Sequence, residues 1–259
     1  MVDNIFVTKP TLPPLEELEP YLQEIWNNKI LTNNGPFHAR LEEELAKYLG
    51  VPYVCLFNNG TIALVTALKA LVPTGEVITT PFSFVATSHA ILWNGLTPVF
   101  VDIEADSLNL DPYQVEAAIN SRTTAILPVH CFGNPAQLEV FDDIAKRHKL
   151  KLIYDASHAF GVRKNHESIL NFGHLSILSF HATKVFNTFE GGAIICQTKE
   201  MKNQIDELKN FGIENEISVL TAGINGKMSE FNSAFGLLQL KYIDEAIRKR
   251  LKINEMYID

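Results

Sequence analysis

A lysine in an aromatic, apolar stretch is the residue of this sequence whose type and setting best fit covalent chemistry. Lys184 follows the apolar run 175–180 and stands between Phe180 and Phe186. Desolvation lowers the pKa of a lysine and favours the neutral amine that forms Schiff bases with carbonyl groups. The alternative is a surface lysine that lays its alkyl chain along the protein and keeps its charge in water.

An aspartate follows the apolar run 150–154. A carboxylate at the end of a buried strand is costly unless a cation or several hydrogen-bond donors meet it, and the protonated ring nitrogen of a cofactor would be such a cation. Asp155 could instead cap a following helix. His158 comes three residues later; by itself such a histidine is more often structural than catalytic.

A turn with a glycine lies between the first apolar run and a helical pattern. Gly60 would let the backbone approach an anion, Thr61 adds a hydroxyl, and the free N–H groups of a helix start bind phosphate. Ser179 could reach the same anion. A capped helix after a tight turn is the simpler alternative. Phe82 and Phe84 follow the second run, and one ring could stack on a planar heterocycle or belong to the core.

These features together match the requirements of pyridoxal phosphate (PLP). The cofactor needs a phosphate site, an aromatic stacking face, a carboxylate for its ring nitrogen and an amine that forms a Schiff base. Each feature comes just after its own apolar run, and in an α/β sheet ligands bind beyond the carboxyl ends of the strands.

The elements that must position these residues recur along the chain as apolar runs followed by amphipathic segments. We predict an α/β fold, with a mainly parallel seven-stranded sheet sandwiched by helices. The strands are predicted at 53–57, 76–79, 98–101, 125–129, 150–154, 175–180 and 192–196. Helices are predicted at 61–71, 83–93, 112–119 and 137–148, and one long helical pattern runs from about Ser229 to the last residue.

The composition is that of a folded globular protein. Of 259 residues 46% are hydrophobic, and 22 Lys and Arg against 30 Asp and Glu leave a formal net charge of −8. The acidic balance argues against nucleic acid or an anionic membrane as the main partner, and no apolar run approaches the roughly 18 residues of a membrane span. Cys55, Cys131 and Cys196 each lie in an apolar stretch, which indicates buried thiols and not a metal site or a disulfide. With no visible secretory signal, we expect a cytoplasmic protein.

The order of these motifs resembles the DegT/DnrJ/StrS family of PLP-dependent nucleotide-sugar aminotransferases, which have the aspartate-aminotransferase fold (fold type I). The resemblance runs from about Pro10 to the last residue. Beyond the residues above, the matching stretches are 31–37, 98–102, 129–135, 190–192 and 223–230.

The resemblance implies a role for each site residue. Lys184 would hold the cofactor as a Schiff base and move the proton, and Asp155 would pair with the ring nitrogen. The remaining cofactor-binding residues would be Phe84 on one ring face with His158 near it, Gly60, Thr61 and Ser179 at the phosphate, and Asn225. Asn225 would reach the phosphate of a partner subunit, which implies a homodimer with its active sites at the interface.

The resemblance also implies the substrates. Close sugar-specific relatives share the stretch 180–188 and aminate C4 of a nucleotide-linked, most often dTDP-linked, 4-keto-6-deoxyhexose with glutamate as the donor. A C3-keto-sugar aminotransferase and a non-catalytic PLP-binding relative are the alternatives. Family dehydratases have histidine in place of the Schiff-base lysine, so Lys184 disfavours that branch. A dinucleotide-binding domain is disfavoured because residues 58–61 are not a GxGxxG motif.

The chain departs from the family in two places. Lys227 stands where the family commonly has arginine. The lysine ammonium group cannot make the bidentate hydrogen bonds of a guanidinium group, so any such contact at this position would be lost. The family also continues into a small C-terminal domain. We therefore expect residues 1–228 to form the large PLP-binding domain and 229–259 the helix connecting to a small domain that is truncated or missing from this sequence.

Overall fold

A seven-stranded sheet forms the centre of the molecule. The computed structural model describes Phe6, residues 8–215 and residues 217–258. The strands of the sheet are β1 (Tyr53–Phe57), β2 (Glu76–Thr79), β3 (Thr97–Phe100), β4 (Thr123–Ile126), β5 (Lys151–Asp155), β6 (Leu175–Ser179) and β7 (Gly192–Cys196). Each lies within about two residues of a predicted strand, so the seven-stranded α/β fold is confirmed.

The order of the strands is β1-β7-β6-β5-β4-β2-β3. The neighbours from β3 through to β6 pair in parallel, whereas β7 runs antiparallel to both β6 and β1. Gly192 at the start of β7 pairs with Phe57 at the end of β1 and with Ser179 at the end of β6. The carboxyl ends of β1, β5 and β6 therefore meet at one edge of the sheet, and the chain that follows each of them is brought close together.

Helices cover both faces of the sheet. They are α1 (Glu19–Asn28), α2 (Pro36–Leu49), α3 (Gly60–Leu71), α4 (Ala86–Trp93), α5 (Pro112–Ala118), α6 (Leu138–His148), α7 (Lys199–Leu208), α8 (Glu230–Leu240) and α9 (Ile243–Ile258). Two short hairpins, Arg163–Lys164 with Glu167–Ser168 and Ile213–Asn215 with Ser218–Val219, lie outside the sheet.

Alternate residues of each strand enter two separate cores. In β5, Leu152 and Tyr154 belong to a cluster shared with α2, α5, α6 and α8, while Ile153 belongs to a cluster shared with α3, α4 and α7. Side chains alternate across a strand, so both faces of the central strands are buried under helices. This explains why these strands read as nearly continuous apolar runs in the sequence. The edge strand β3 is only partly covered, and Phe100 at its end is exposed.

Two predicted helices differ from the structure. Helix α4 begins at Ala86 and not at 83, because Ser83 closes a turn by donating its N–H to Pro81. The single helix predicted from Ser229 onward is wrong in that the chain forms two helices, α8 and α9. Between them the N–H of Lys241 bonds Leu238 and that of Tyr242 bonds Gln239, three residues back. This tightened turn contains neither glycine nor proline, and the last residue, Asp259, lies outside the described residues.

All three cysteines are buried and free, as expected from their apolar surroundings. Within the described part of the chain, none of the helices combines the length and apolar character that crossing a lipid bilayer requires.

Candidate active site

A cavity of about 490 Å³ opens at the carboxyl edge of the sheet. Seven of the eight predicted site residues line it; these are Gly60, Thr61, Phe84, Asp155, His158, Ser179 and Lys184. They come from five separate segments of the chain, which the strand order brings to one place. The size suits a small-molecule ligand or cofactor.

The turn between β1 and α3 forms one end of this cavity. Asn59 caps α3, accepting a hydrogen bond from the N–H of Ile62 at 2.8 Å, so the helix is capped one residue before Gly60. The N–H groups of Gly60 and Thr61 have no acceptor in the described parts of the chain. A Cβ on Gly60 would lie 3.0 Å from Cβ of Ser179. Gly60, Thr61 and Ser179, hereafter the phosphate cradle, thus combine free N–H donors, hydroxyls and a helix N-terminus, which is a ready-made anion site.

Asp155 lies at the end of β5 and is only 4% exposed. One carboxylate oxygen accepts a hydrogen bond from Thr87 at 2.8 Å, and the other accepts the hydroxyl of Ser157 at 2.6 Å and its N–H at 3.1 Å. No helix begins directly after Asp155, so the capping alternative does not apply. These donors stabilise the charged carboxylate in a buried place. The group therefore presents a fixed negative charge to the cavity.

Thr87 and Ser157 were not identified from the sequence. The hydroxyl of Thr87 also lies 2.7 Å from that of Ser83. Since the one proton of Thr87 goes to the carboxylate, Ser83 must donate to Thr87. A buried aspartate requires nearby hydrogen-bond donors, so Ser157, two residues later, could have been predicted as one of them. Thr87 lies 68 positions away in the sequence, and only the fold brings it near Asp155.

Lys184 lies on the loop between β6 and β7. Its N–H donates to the carbonyl of His181 at 2.9 Å, and the buried rings of Phe180 and Phe186 pack edge to face at 4.9 Å beneath the loop. Burial lowers the pKa of Lys184, while the negative charge of Asp155 acts in the opposite direction. The aromatic neighbourhood seen in the sequence is therefore a packed support, and the amine is only half exposed.

Two aromatic residues flank the mouth of the cavity. Phe84 is 75% exposed, and His158 stacks on Phe132 with ring centroids 6.3 Å apart. Burial lowers the pKa of His158, and the positive charge of Lys184 lowers it further. The backbone of Phe132 has a φ of 54°, a left-handed conformation that is strained for this residue type. Strain of this kind persists where the surrounding structure enforces it, often beside a functional site.

Asn225 does not line the cavity. It is exposed and forms an isolated β-bridge with Asn210. The next residue, Gly226, accepts a hydrogen bond from the N–H of Asn58, two residues before Gly60 of the phosphate cradle. In a single chain Asn225 is thus separate from the other seven residues, and its predicted role on a partner subunit stays a prediction.

Comparison with known proteins places the chain among sugar aminotransferases. A model of the DegT/DnrJ/EryC1/StrS aminotransferase family matches residues 15–259. The dTDP-4-amino-4,6-dideoxy-D-glucose transaminase of Shigella dysenteriae is 59% identical over 257 residues, which cover 99% of this chain and 70% of that protein.

Solved structures show the same fold. DesI, crystallised in the presence of its TDP-sugar product, is 37% identical with a TM-score of 0.90, covering 95% of this chain and 62% of its own. NtdA from Bacillus subtilis, with bound cofactor PMP, is 31% identical with a TM-score of 0.83, covering 94% of this chain and 58% of its own. This chain therefore spans less than two thirds of both solved chains. With the family match extending over nearly all of its residues, the chain belongs to the DegT/DnrJ/EryC1/StrS aminotransferase family.

Proposed function

We propose that this chain uses pyridoxal phosphate to transfer an amino group from glutamate to C4 of a dTDP-linked 4-keto-6-deoxyhexose. The observation that carries the proposal is the convergence of Lys184, Asp155 and the phosphate cradle on one cavity of about 490 Å³. The 59% identity to a transaminase named for a dTDP-4-amino sugar favours C4 over C3 as the aminated position. The intact lysine disfavours a non-catalytic role.

The residues of the cavity fit the cofactor at both ends. The free N–H groups and hydroxyls of the phosphate cradle suit a phosphate dianion. A side chain at position 60 would press against Ser179, whose hydroxyl belongs to the cradle. At the other end the carboxylate of Asp155 would pair with a protonated ring nitrogen. When bound, pyridoxal phosphate supplies the carbonyl carbon that carries the amino group and a ring that withdraws electrons from it.

Lys184 has two tasks in this proposal. Its Nζ would hold the cofactor covalently, and once released would take the proton from the substrate carbon and return it. Because burial lowers the pKa of this amine, a larger fraction is neutral near pH 7 than for an exposed lysine, and only the neutral amine accepts a proton.

The other side chains orient the ring and the substrate. Phe84 would cover one face of the cofactor, with His158 close by. Asn225 would contact the cofactor phosphate of a second copy, so the proposed active unit is a homodimer. Its exposure and its position beside Asn58 support this arrangement.

The test is an absorbance spectrum of the purified chain with pyridoxal phosphate, before and after glutamate. The wild-type chain should show the visible absorbance of lysine-bound cofactor, and glutamate should bleach it. Lys184→Ala should show neither, whereas Lys164→Ala, which removes an exposed lysine paired with Glu139, should behave as wild type. The bleached protein should then aminate a dTDP-4-keto-6-deoxyhexose, with the new amine assigned to C4 by NMR. A folded chain that binds no cofactor, or an amine found at C3, would overturn the proposal.

A further inference from the structure

A second cavity adjoins the first, and Lys184 lines both. Its volume is about 310 Å³, and it shares Ser157, His158, Thr183 and Lys184 with the first. The residues that it adds are Thr8, Phe132, Phe160, Val185 and Arg250. The first cavity accounts for the cofactor, so a molecule in the second would face Lys184 from outside the cofactor site.

Arg250 is the fixed positive charge of this second cavity. It lies on α9, and among the described residues no carboxylate is within 4.0 Å of its guanidinium group, whereas its neighbour Lys249 pairs with Glu245 at 2.6 Å. Lys184, which also lines the cavity, is already assigned to the cofactor. An anion entering the cavity would therefore meet a guanidinium group that no carboxylate of the described residues pairs with, and guanidinium groups bind carboxylates in a bidentate manner.

Three of the nine lining residues are apolar, and Thr8, Ser157 and Thr183 add hydroxyl groups. Phe132, Phe160 and Val185 contribute rings and methyl groups, and Phe160 is only 6% exposed. A sphere of this cavity's volume is roughly 8 Å across, which suits a short aliphatic chain better than a nucleoside diphosphate. The ligand that fits has a carboxylate at one end and a few methylene groups, which leave its other end near Lys184.

We propose that this cavity binds the amino donor and that Arg250 holds its distal carboxylate. The inference rests on the proposed function, in which an amino acid must transfer its amino group next to Lys184. It adds a specificity residue, because a donor without the second carboxylate would leave the guanidinium group unpaired. Glutamate is then chosen over alanine or glutamine by a residue outside the cofactor site.

Three variants test the role of Arg250. Arg250→Gln removes the charge, and Arg250→Lys keeps the charge but loses the two parallel N–H donors of the guanidinium group. Arg248→Gln is the control on the same helix, since Arg248 is exposed and outside both cavities. We expect Arg250→Gln to raise the glutamate concentration needed for half-maximal bleaching by about tenfold to a hundredfold. The value for alanine should not change, Arg250→Lys should be intermediate, and Arg248→Gln should match wild type.

A binding measurement separates this inference from the proposed function. Calorimetry with glutarate, a dicarboxylate without an amino group, should show binding to the wild-type chain and to Arg248→Gln, and a matching loss in Arg250→Gln. This readout does not require catalysis, so it stands even if the wild-type chain aminates no sugar. Equal losses for glutamate and alanine, a loss confined to the keto-sugar half of the reaction, or unchanged glutarate binding would each overturn the assignment of Arg250.

Discussion

At the scale of single residues, the environment of Asp155 explains how a charge is kept in the interior. Its carboxylate accepts three hydrogen bonds, from the hydroxyl of Thr87 and from the N–H and hydroxyl of Ser157. Ser83 in turn donates to Thr87. Buried carboxylates are costly unless donors of this kind are supplied. The charge that would hold a cationic ring nitrogen is therefore maintained by residues that need not touch the cofactor.

Replacing Thr87 tests this support. Thr87→Val keeps the shape but removes a hydrogen bond to a charged group, which is worth about 1.5–3 kcal/mol. We expect the affinity for pyridoxal phosphate to fall by about tenfold or more, as measured by fluorescence titration. Thr87→Ser restores the hydroxyl and should retain most of the affinity. Equal affinity in Thr87→Val and wild type would show that Ser157 alone is sufficient.

Residue types and strand ends were enough to identify seven of the eighteen residues that line the cavity. Lys184, Asp155 and Gly60 each lie within four residues of the end of an apolar run, so parallel strand geometry places them together. Thr87 and Arg250 carry no such signal, since Thr87 lies within α4 and Arg250 in the middle of α9. Their proximity to the site depends on how those helices pack, which periodicity alone does not determine.

At the scale of elements, α2 depends on a residue from another helix. Its N-cap is Gly35, which has no side chain to accept hydrogen bonds. The fully buried carboxylate of Glu230, the first residue of α8, accepts the N–H groups of Phe37 at 2.8 Å and His38 at 2.9 Å instead. A Cβ at Gly35 would lie 2.6 Å from Cδ of Glu230. The glycine therefore makes room for a cap that comes from almost two hundred residues away.

Glu230→Gln should weaken this junction. A neutral amide has one oxygen in place of two, and its NH₂ group would face an N–H donor. We expect a loss of about 2 kcal/mol in the free energy of unfolding, measured by urea denaturation. Glu24→Gln is the matched control, because Glu24 forms an exposed ion pair with Arg40 that contributes little. Similar midpoints for both variants would argue against the capping role.

The elements differ in how far the sequence could predict them. The strands and the helices between them follow from apolar periodicity, because both faces of the central strands are covered. The break between α8 and α9 was not predicted from the sequence, because neither Lys241 nor Tyr242 is a residue type that ends a helix. The two helices differ in their surroundings: α8 is buried on nearly all sides in the core, whereas α9 is largely exposed beyond Ala246.

At the scale of the whole molecule, buried histidines connect stability to pH. His130 is fully buried, stacks on Tyr154 with centroids 4.7 Å apart and accepts the N–H of Ala136 at 3.1 Å. Burial lowers its pKa from 6.5 to about 3. Between these two values the unfolded chain binds a proton and the folded chain does not. The free energy of unfolding therefore decreases as the pH falls through this range.

His130→Asn should reduce this pH dependence. The histidine contributes on the order of 1.4 kcal/mol per pH unit between about pH 6 and pH 4. The asparagine variant should be less stable at pH 7, because it loses the ring packing on Tyr154, yet its stability should fall less steeply on acidification. Urea denaturation at several pH values measures the slope. His166→Asn, at an exposed histidine, should leave the slope unchanged, and an unaltered slope in His130→Asn would contradict the assignment.

Charges buried outside the cavity could not be predicted from the sequence. Lys209 is fully buried, with its amine 2.7 Å from Asp206 and 3.3 Å from Glu42. Nothing in its residue type distinguishes it from a surface lysine, and its two carboxylate partners come from α7 and α2. Such a pairing becomes visible only when the helices are assembled.

The position of β7 has a consequence for the order of folding. β1 joins the sheet only through β7, and Phe57 pairs with Gly192 roughly 140 residues later in the chain. During synthesis, β2 to β6 can assemble through their crossover connections before β7 is made. At that stage β1, which leads into the phosphate cradle, has no neighbouring strand. Contacts this distant in sequence form late, because the loop must close before they contribute. Cofactor binding would then mark the last stage of folding. In a nascent chain released before residue 192, β1 would be unpaired and β6 would be an unprotected edge of the sheet, open to chaperones or to aggregation.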